Sequence, residues 1–168
     1  MIIPSIGVSN YVDLLVAQEV LSKVEKFAPV TADSGSETWF DGSGTFLCGD
    51  AATWNQVWNT HIRNESIGNA RLGNLNPAPP VDFKKNVVVA LFAGPTRGIV
   101  GYRVLNGFVL GKEAFLRIAP VMSNAPVAQV AVPRPWAFLV LPRTKANVSI
   151  QMPQGRGWNT VMKVPPSL

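Results

Sequence analysis

One cysteine and one histidine are the side chains from which a nucleophilic enzyme could be built, and each occurs once in this chain. Cys48 and His61 could form a thiolate–imidazole pair, oriented by Asp50 or Asp82, if the thiol were exposed and the ring within about 3 Å of it. Cys48, however, ends the apolar run 45–48, and His61 shares a helical stripe with two tryptophans. The pattern therefore favours a buried structural thiol and a core histidine, and we predict no catalytic residue.

Other arrangements that could hold a ligand are incomplete. Zinc sites require several Cys or His ligands, so we predict no metal site. The oxygen-rich segment 33–41 carries three carboxylates but lacks the closing glutamate of a calcium-binding loop. Residues 94–101 are rich in glycine without the Gly-Lys-Ser/Thr of a phosphate-binding loop. This segment is typical of a connection between strands, and no cofactor is predicted.

Helical spacing of apolar residues occurs in two places. Residues 11–27 predict a helix, with a strand as the alternative. The second pattern is cleaner: Asp50 can cap a helix over 51–62, whose apolar stripe consists of Trp54, Val57, Trp58, His61 and Ile62.

The remainder of the chain predicts strands, because Gly and Pro, 14 of each, separate short apolar runs along its whole length. The continuous run Val87–Phe92 is typical of a central strand buried on both faces. Asn106-Gly107 predicts a two-residue hairpin turn. Further strands are predicted at 37–40, 45–48, 99–105, 108–110, 114–118, 127–132, 137–141 and 147–152. We expect a mainly β fold bordering on α+β: an antiparallel β-sandwich or barrel-like sheet with one or two packed helices.

Composition limits the partners. Of 168 residues, 47% are hydrophobic and 15% charged, which suits one folded domain and argues against disorder. The net charge is +5, but no four basic residues adjoin. This scattered distribution of basic residues disfavours nucleic acid as a binding partner and leaves an anionic polymer as an open alternative. We find neither a signal peptide nor an apolar stretch of ~18–20 residues that could span a membrane. The chain is therefore expected to be made as a soluble protein.

Four motifs follow one another between residues 38 and 152. They are Trp54-x-x-x-Trp58-x-x-His61, Pro80-Val-Asp-Phe83 before the apolar strand and Gly94, Gly101-Tyr102, and Arg134-Pro-Trp-Ala-Phe-Leu-Val-Leu-Pro142. Their order resembles the C-terminal domain family of PrcB, an accessory protein that stabilises a surface protease complex. The resemblance implies a small, mostly β accessory domain without catalytic residues, and it would allow a location in the cell envelope. The chain departs from this family in lacking a signal peptide and a lipid-anchoring cysteine, and in its unrelated first 35 residues.

Three segments are expected. Residues 1–35 form a helical or extended contact segment, 36–152 the β-rich PrcB-like domain, and 153–168 an irregular tail. We expect a non-catalytic protein-binding accessory or assembly subunit, whose partners are other protein subunits, copies of itself included. Arg and large aromatic side chains are enriched where interfaces carry energy, so the partner-binding residues predicted are Arg97, Tyr102, Arg103 and Trp136.

Three alternatives stay open. The first is a structural, decoration or head–tail protein of a virion-like symmetric assembly, which suits the low charge and the single cysteine. The second is a protease inhibitor that presents the Pro-rich loop 74–80. The third is a carbohydrate-active enzyme in which Asp82 and Glu113 would be the pair of carboxylates.

Overall fold

A computed structural model of the protein describes residues 24–62, 77–124 and 132–166. Within these ranges the fold is mainly β, as expected, with two packed sheets and a single helix. The elements are β1 (Glu25–Lys26), β2 (Thr31–Gly35), β3 (Ser43–Cys48), α1 (Ala51–Ile62), β4 (Asn86–Ala93), β5 (Ile99–Leu110), β6 (Glu113–Met122), β7 (Trp136–Pro142), β8 (Asn147–Gln154) and β9 (Gly157–Val164). The helix predicted over 11–27 is wrong for its described end, where Glu25–Lys26 form β1; residues 11–23 of that prediction, 74–76 of the Pro-rich loop and 127–131 of a predicted strand lie outside the described residues.

Two sheets pack against each other. The five-stranded sheet has the order β1-β5-β6-β8-β9, and the four-stranded sheet has the order β2-β7-β4-β3. Among the described strands every pairing is antiparallel except that of β6 with β8, which is parallel. The chain crosses to the other sheet as β7 between these two strands, so it re-enters the five-stranded sheet in the same direction.

The two central strands of the four-stranded sheet, β4 and β7, are buried on both faces, which explains the unbroken apolar run of β4. Successive side chains on a strand point to opposite faces. Val87, Val89 and Leu91 accordingly belong to the core between the two sheets. Val88, Ala90 and Phe92 belong to a second apolar cluster, together with Trp54 of α1. The prediction of a doubly buried central strand is confirmed.

Helix α1 is held at both ends. The backbone N–H of Thr53 donates to Asp50 Oδ1 at 2.8 Å, which confirms the predicted cap. Trp54 is buried, and its indole Nε1 donates to the carbonyl of Pro79 at 2.9 Å. At the other end the backbone N–H of Trp39 donates to the His61 carbonyl at 3.0 Å, so an otherwise unpaired end group is satisfied.

Three further expectations are wrong. Asn106-Gly107 is not a turn but lies inside β5, at a register shift after Val104; the hairpin turn falls at Gly111, whose φ is 62°. The segment 37–40 is not a strand. The tail from 153 is not irregular, because the chain turns at Gly155 and returns as β9 beside β8. Positive φ angles at Gly111 and Gly155 supply both turns without steric cost.

Candidate functional site

Cys48 and His61 lie in or against the apolar cluster under α1. The Cys48 side chain is fully buried, as predicted, and burial together with the negative charge of Asp50 raises the pKa of its thiol to about 11. Burial lowers the pKa of His61 to about 4, with Asp33 opposing the shift. The His61 Nδ1 lies 2.9 Å from Thr38 Oγ1, which gives the ring a local partner. A thiol with so high a pKa supplies almost no thiolate at neutral pH, so this arrangement does not activate a nucleophile.

The four residues predicted to bind a partner occupy separate surroundings. Trp136 is half-buried beside α1, with its ring 4.5 Å from that of His61. Tyr102 packs against the core between the sheets, and its carbonyl accepts a hydrogen bond from Ser34 Oγ at 2.7 Å. Arg97 is exposed in the turn between β4 and β5. Arg103 is exposed on β5 and, by alternation with Tyr102, points away from the core.

The outer faces of the two sheets differ in what covers them. On the four-stranded sheet, α1 and apolar residues from 78–83 complete the second cluster. On the five-stranded sheet, no described helix or strand packs against the outer side. We call this surface the open face and define it by Arg103, Phe108, Phe115, Arg117, Trp158 and Lys163. Register supports the grouping, because paired residues lie on the same face. Phe108 pairs with Phe115, Phe115 with Ser149, and Ser149 with Lys163. Arg103 pairs with Ala119, which alternation places on the same face of β6 as Phe115.

A row of side chains in mutual contact lies on the open face. The rings of Phe108 and Phe115 are stacked, with centroids 5.1 Å apart and planes at 27°. The guanidinium carbon of Arg117 lies 5.1 Å from the Phe108 centroid and 4.4 Å from the Trp158 centroid. We call Phe115, Phe108, Arg117 and Trp158 the aromatic–guanidinium stack. It fixes a cation between two rings, in the geometry of a cation–π contact.

The stack is only partly shielded from solvent. Trp158 is 39% exposed, and Leu110, which lies two residues after Phe108 on β5 and therefore on the same face, is 57% exposed. Exposed apolar side chains scattered singly need no explanation, but aromatic rings packed around an arginine are typical of interaction surfaces. The geometry therefore suits binding of a flat surface or an extended segment.

Charge on the open face is almost entirely positive. Arg103, Arg117 and Lys163 contribute cations, and Glu113 is the only carboxylate on β5, β6, β8 or β9. The Asn147 amide donates to Glu113 Oε1 at 2.8 Å.

Within the described residues, no group of three or more His, Cys, Asp or Glu side chains could hold a metal ion. Likewise, no helix in the described part of the chain could span a membrane.

Comparison with known proteins gives no match. This holds for protein-family models, for curated proteins and for solved structures alike.

One signal in the sequence could have indicated the open face. Residues 1–82 contain four Lys or Arg and nine Asp or Glu, a net charge of −5, whereas residues 83–168 contain eleven against one, a net charge of +10. The second part supplies all four of the longer strands of the five-stranded sheet. The stack itself was not visible in the sequence, because its members come from three strands whose register only the fold defines.

Proposed function

We propose that this protein is a non-catalytic binding subunit of a larger protein complex and that its partner docks on the open face. The observation that carries the proposal is the aromatic–guanidinium stack with its exposed Trp158. Trp, Tyr and Arg dominate the binding energy of protein interfaces, where truncating a central residue costs ~2 kcal/mol or more. Arg103, one of the residues predicted from the sequence, belongs to the same face.

Rigidity of the stack supports this proposal. Each member contacts the next, and all are anchored on paired strands, so little side-chain freedom remains to be lost on binding. Binding costs roughly 0.5–1.5 kcal/mol for each rotamer-rich side chain that must be ordered, and a preformed stack avoids part of that cost. A face on a sheet scaffold also holds its shape better than one built on loops.

The resemblance to the PrcB domain family favours an accessory subunit of a protease complex. It involves residues 38–152, which include β3, α1, β4 to β7 and most of β8. The rival is a structural subunit of a symmetric assembly in which the partner is another copy of the chain. The two differ in partner identity and stoichiometry, and a single purification distinguishes them.

The test begins with the untagged protein purified from its native source. Its mass in solution is measured, and proteins that co-purify with it are identified by mass spectrometry. The same purification is repeated for Trp158→Ala and for a matched control, Trp39→Ala, because Trp39 is the more exposed tryptophan at 57% and lies outside the open face. Trp39→Ala keeps the backbone hydrogen bond to His61.

We expect a stoichiometric partner whose recovery falls at least about tenfold in Trp158→Ala and is unchanged in Trp39→Ala. A protease or its associated subunit would identify the accessory role, and a particle built of this chain would identify the assembly role. Recovery as a lone monomer, or equal recovery of the partner with both variants, would overturn the proposal.

A further inference from the structure

The Arg117 side chain is positioned by contacts with three other side chains of the five-stranded sheet. Its Nε lies 3.4 Å from the Gln151 side-chain oxygen, and its guanidinium is placed between Phe108 and Trp158. No carboxylate among the described residues forms an ion pair with it. The hydrogen bond that Arg117 makes within the described ranges is the one from Nε, so no described residue accepts from its terminal Nη atoms. A planar guanidinium with two free N–H groups matches a carboxylate or phosphate through two parallel hydrogen bonds.

Resting on the proposed function, we infer that the segment docking on the open face is an acidic stretch of a partner polypeptide, one of whose carboxylates is bound by Arg117. The charge distribution supports this occupant. Arg103 and Lys163 lie on the same face, Lys112 and Arg156 occupy the adjoining turns, and residues 83–168 carry a net charge of +10. A face of one sign attracts and orients a partner of the other sign.

Nucleic acid fits this face less well than an acidic polypeptide. Proteins that bind single strands stack bases on freely accessible aromatic rings and follow the phosphates with closely spaced cations. Here Phe108 already contacts both Phe115 and Arg117, and Trp158 contacts Arg117, so much of the ring surface is used inside the stack. The arrangement presents a guanidinium edge instead of an open stacking platform, and a carboxylate on a side chain is the group that can reach it.

The experiment measures binding of fluorescently labelled poly-L-glutamate by anisotropy at low ionic strength. It compares the full chain with Arg117→Gln, Arg117→Lys and Arg97→Gln. Arg97→Gln is the matched control, because it removes the same charge from an exposed arginine in the β4–β5 turn, outside the open face. Oligo-deoxythymidine and inorganic phosphate are titrated as competitors. Thermal melting verifies that each variant is folded.

We expect Arg117→Gln to weaken poly-L-glutamate binding at least about tenfold and Arg97→Gln to weaken it about twofold or less, since removal of a distant charge is screened by solvent. Arg117→Lys restores only part of the affinity, because an ammonium keeps the charge but lacks the planar fork. Equal losses in Arg117→Gln and Arg97→Gln would overturn the inference, as would the absence of poly-L-glutamate binding. Tighter binding of oligo-deoxythymidine than of poly-L-glutamate would overturn it in favour of nucleic acid.

Failure of this inference is distinguishable from failure of the proposed function. The partner recovered from the native source is tested with both Arg117→Gln and Trp158→Ala. Loss of binding in Trp158→Ala alone retains the open face as the docking surface and rejects the acidic partner. Unchanged binding in both variants rejects both proposals.

Discussion

Replacing Gly107 by alanine should separate β1 from the sandwich. Gly107 lies in the interior of β5, where the backbone N–H of Phe27 donates to its carbonyl at 3.0 Å. A β-carbon at this position would overlap the carbonyl oxygen of Phe27 and press against that of Phe115 at 3.0 Å. Both obstacles are main-chain atoms of neighbouring segments, so no side-chain rotation can relieve the overlap. The segment after β1 must move away from β5.

The cost follows from what that movement removes. The hydrogen bond from Phe27 to Gly107 contributes about 1 kcal/mol. Phe27 is buried in the core between the sheets, and withdrawing its side chain forfeits roughly 2–3 kcal/mol of apolar burial. We therefore expect Gly107→Ala to lower the free energy of unfolding by about 3–4 kcal/mol, a large share of the ~5–15 kcal/mol of a typical domain.

Equilibrium unfolding in urea measures this loss, and Gly157→Ala is its matched control. Gly157 is also a strand glycine without a positive φ, but the nearest atom to its added β-carbon is 3.9 Å away. That substitution should change the unfolding free energy by less than about 0.5 kcal/mol. If Gly107→Ala costs under about 1 kcal/mol, Phe27 does not approach Gly107 as described, and the pairing of β1 with β5 is wrong.

Three further perturbations concern the cluster under α1. Because the pKa of His61 is about 4 when folded and 6.5 ordinarily, the unfolded chain binds more protons between these values. Stability should fall by up to about 3 kcal/mol as pH drops from 6.5 to 4. A pH series of urea unfolding tests this, and His61→Gln should lack that slope. Cys48, with its pKa raised from 9.0 to about 11, should react with a thiol reagent at least ~100-fold more slowly in the native protein than in urea. Equal rates would contradict its burial. Trp54→Phe should lose at least about 2 kcal/mol in urea unfolding, since it removes the hydrogen bond to Pro79 and leaves a cavity where the larger, buried indole packs; no loss would place the indole elsewhere.

Local patterns predicted those elements whose formation depends on one segment. The stripe over 51–62 and the cap at Asp50 define α1 because a helix satisfies its hydrogen bonds within itself. The apolar run of β4 predicted burial on both faces, since no other position in a two-sheet fold removes six successive apolar side chains from water. These features required no knowledge of distant residues.

Elements that depend on distant partners were missed. Asn-Gly is the strongest local hairpin signal, yet Gly107 is required in β5 because the carbonyl of Phe27 approaches it, eighty residues away in sequence. Likewise, β9 lacks a strong apolar alternation because it is an edge strand with one face open. Its exposed Trp158 and Asn159 are typical of a loop when considered alone. Pairing with β8 decides their conformation.

The same reasoning explains why the predicted binding residues did not form one patch. Tyr102 and Arg103 are neighbours in sequence, but alternation sends one to the core and the other to the open face. Residues that do meet on the open face, such as Arg117 and Trp158, are far apart along the chain. Sequence spacing within strands predicts which face a residue lies on, whereas sheet order decides which residues share it.

A purely structural role for the stack is the alternative that the proposals must exclude. Arg117 lies against Phe108 and Trp158 and so shields part of their surface from water, as long charged side chains often do on exposed sheets. Shielding alone, however, does not explain why no described carboxylate pairs with Arg117. Glu113 lies on the same strand, but it accepts a hydrogen bond from Asn147 instead. A neutral side chain of similar length could cover the rings, although it would lack the cation–π attraction. The two roles differ in what they predict: a purely structural Arg117 would lower the stability of Arg117→Gln without weakening poly-L-glutamate binding more than Arg97→Gln does, whereas the proposed acidic partner requires that binding to be lost.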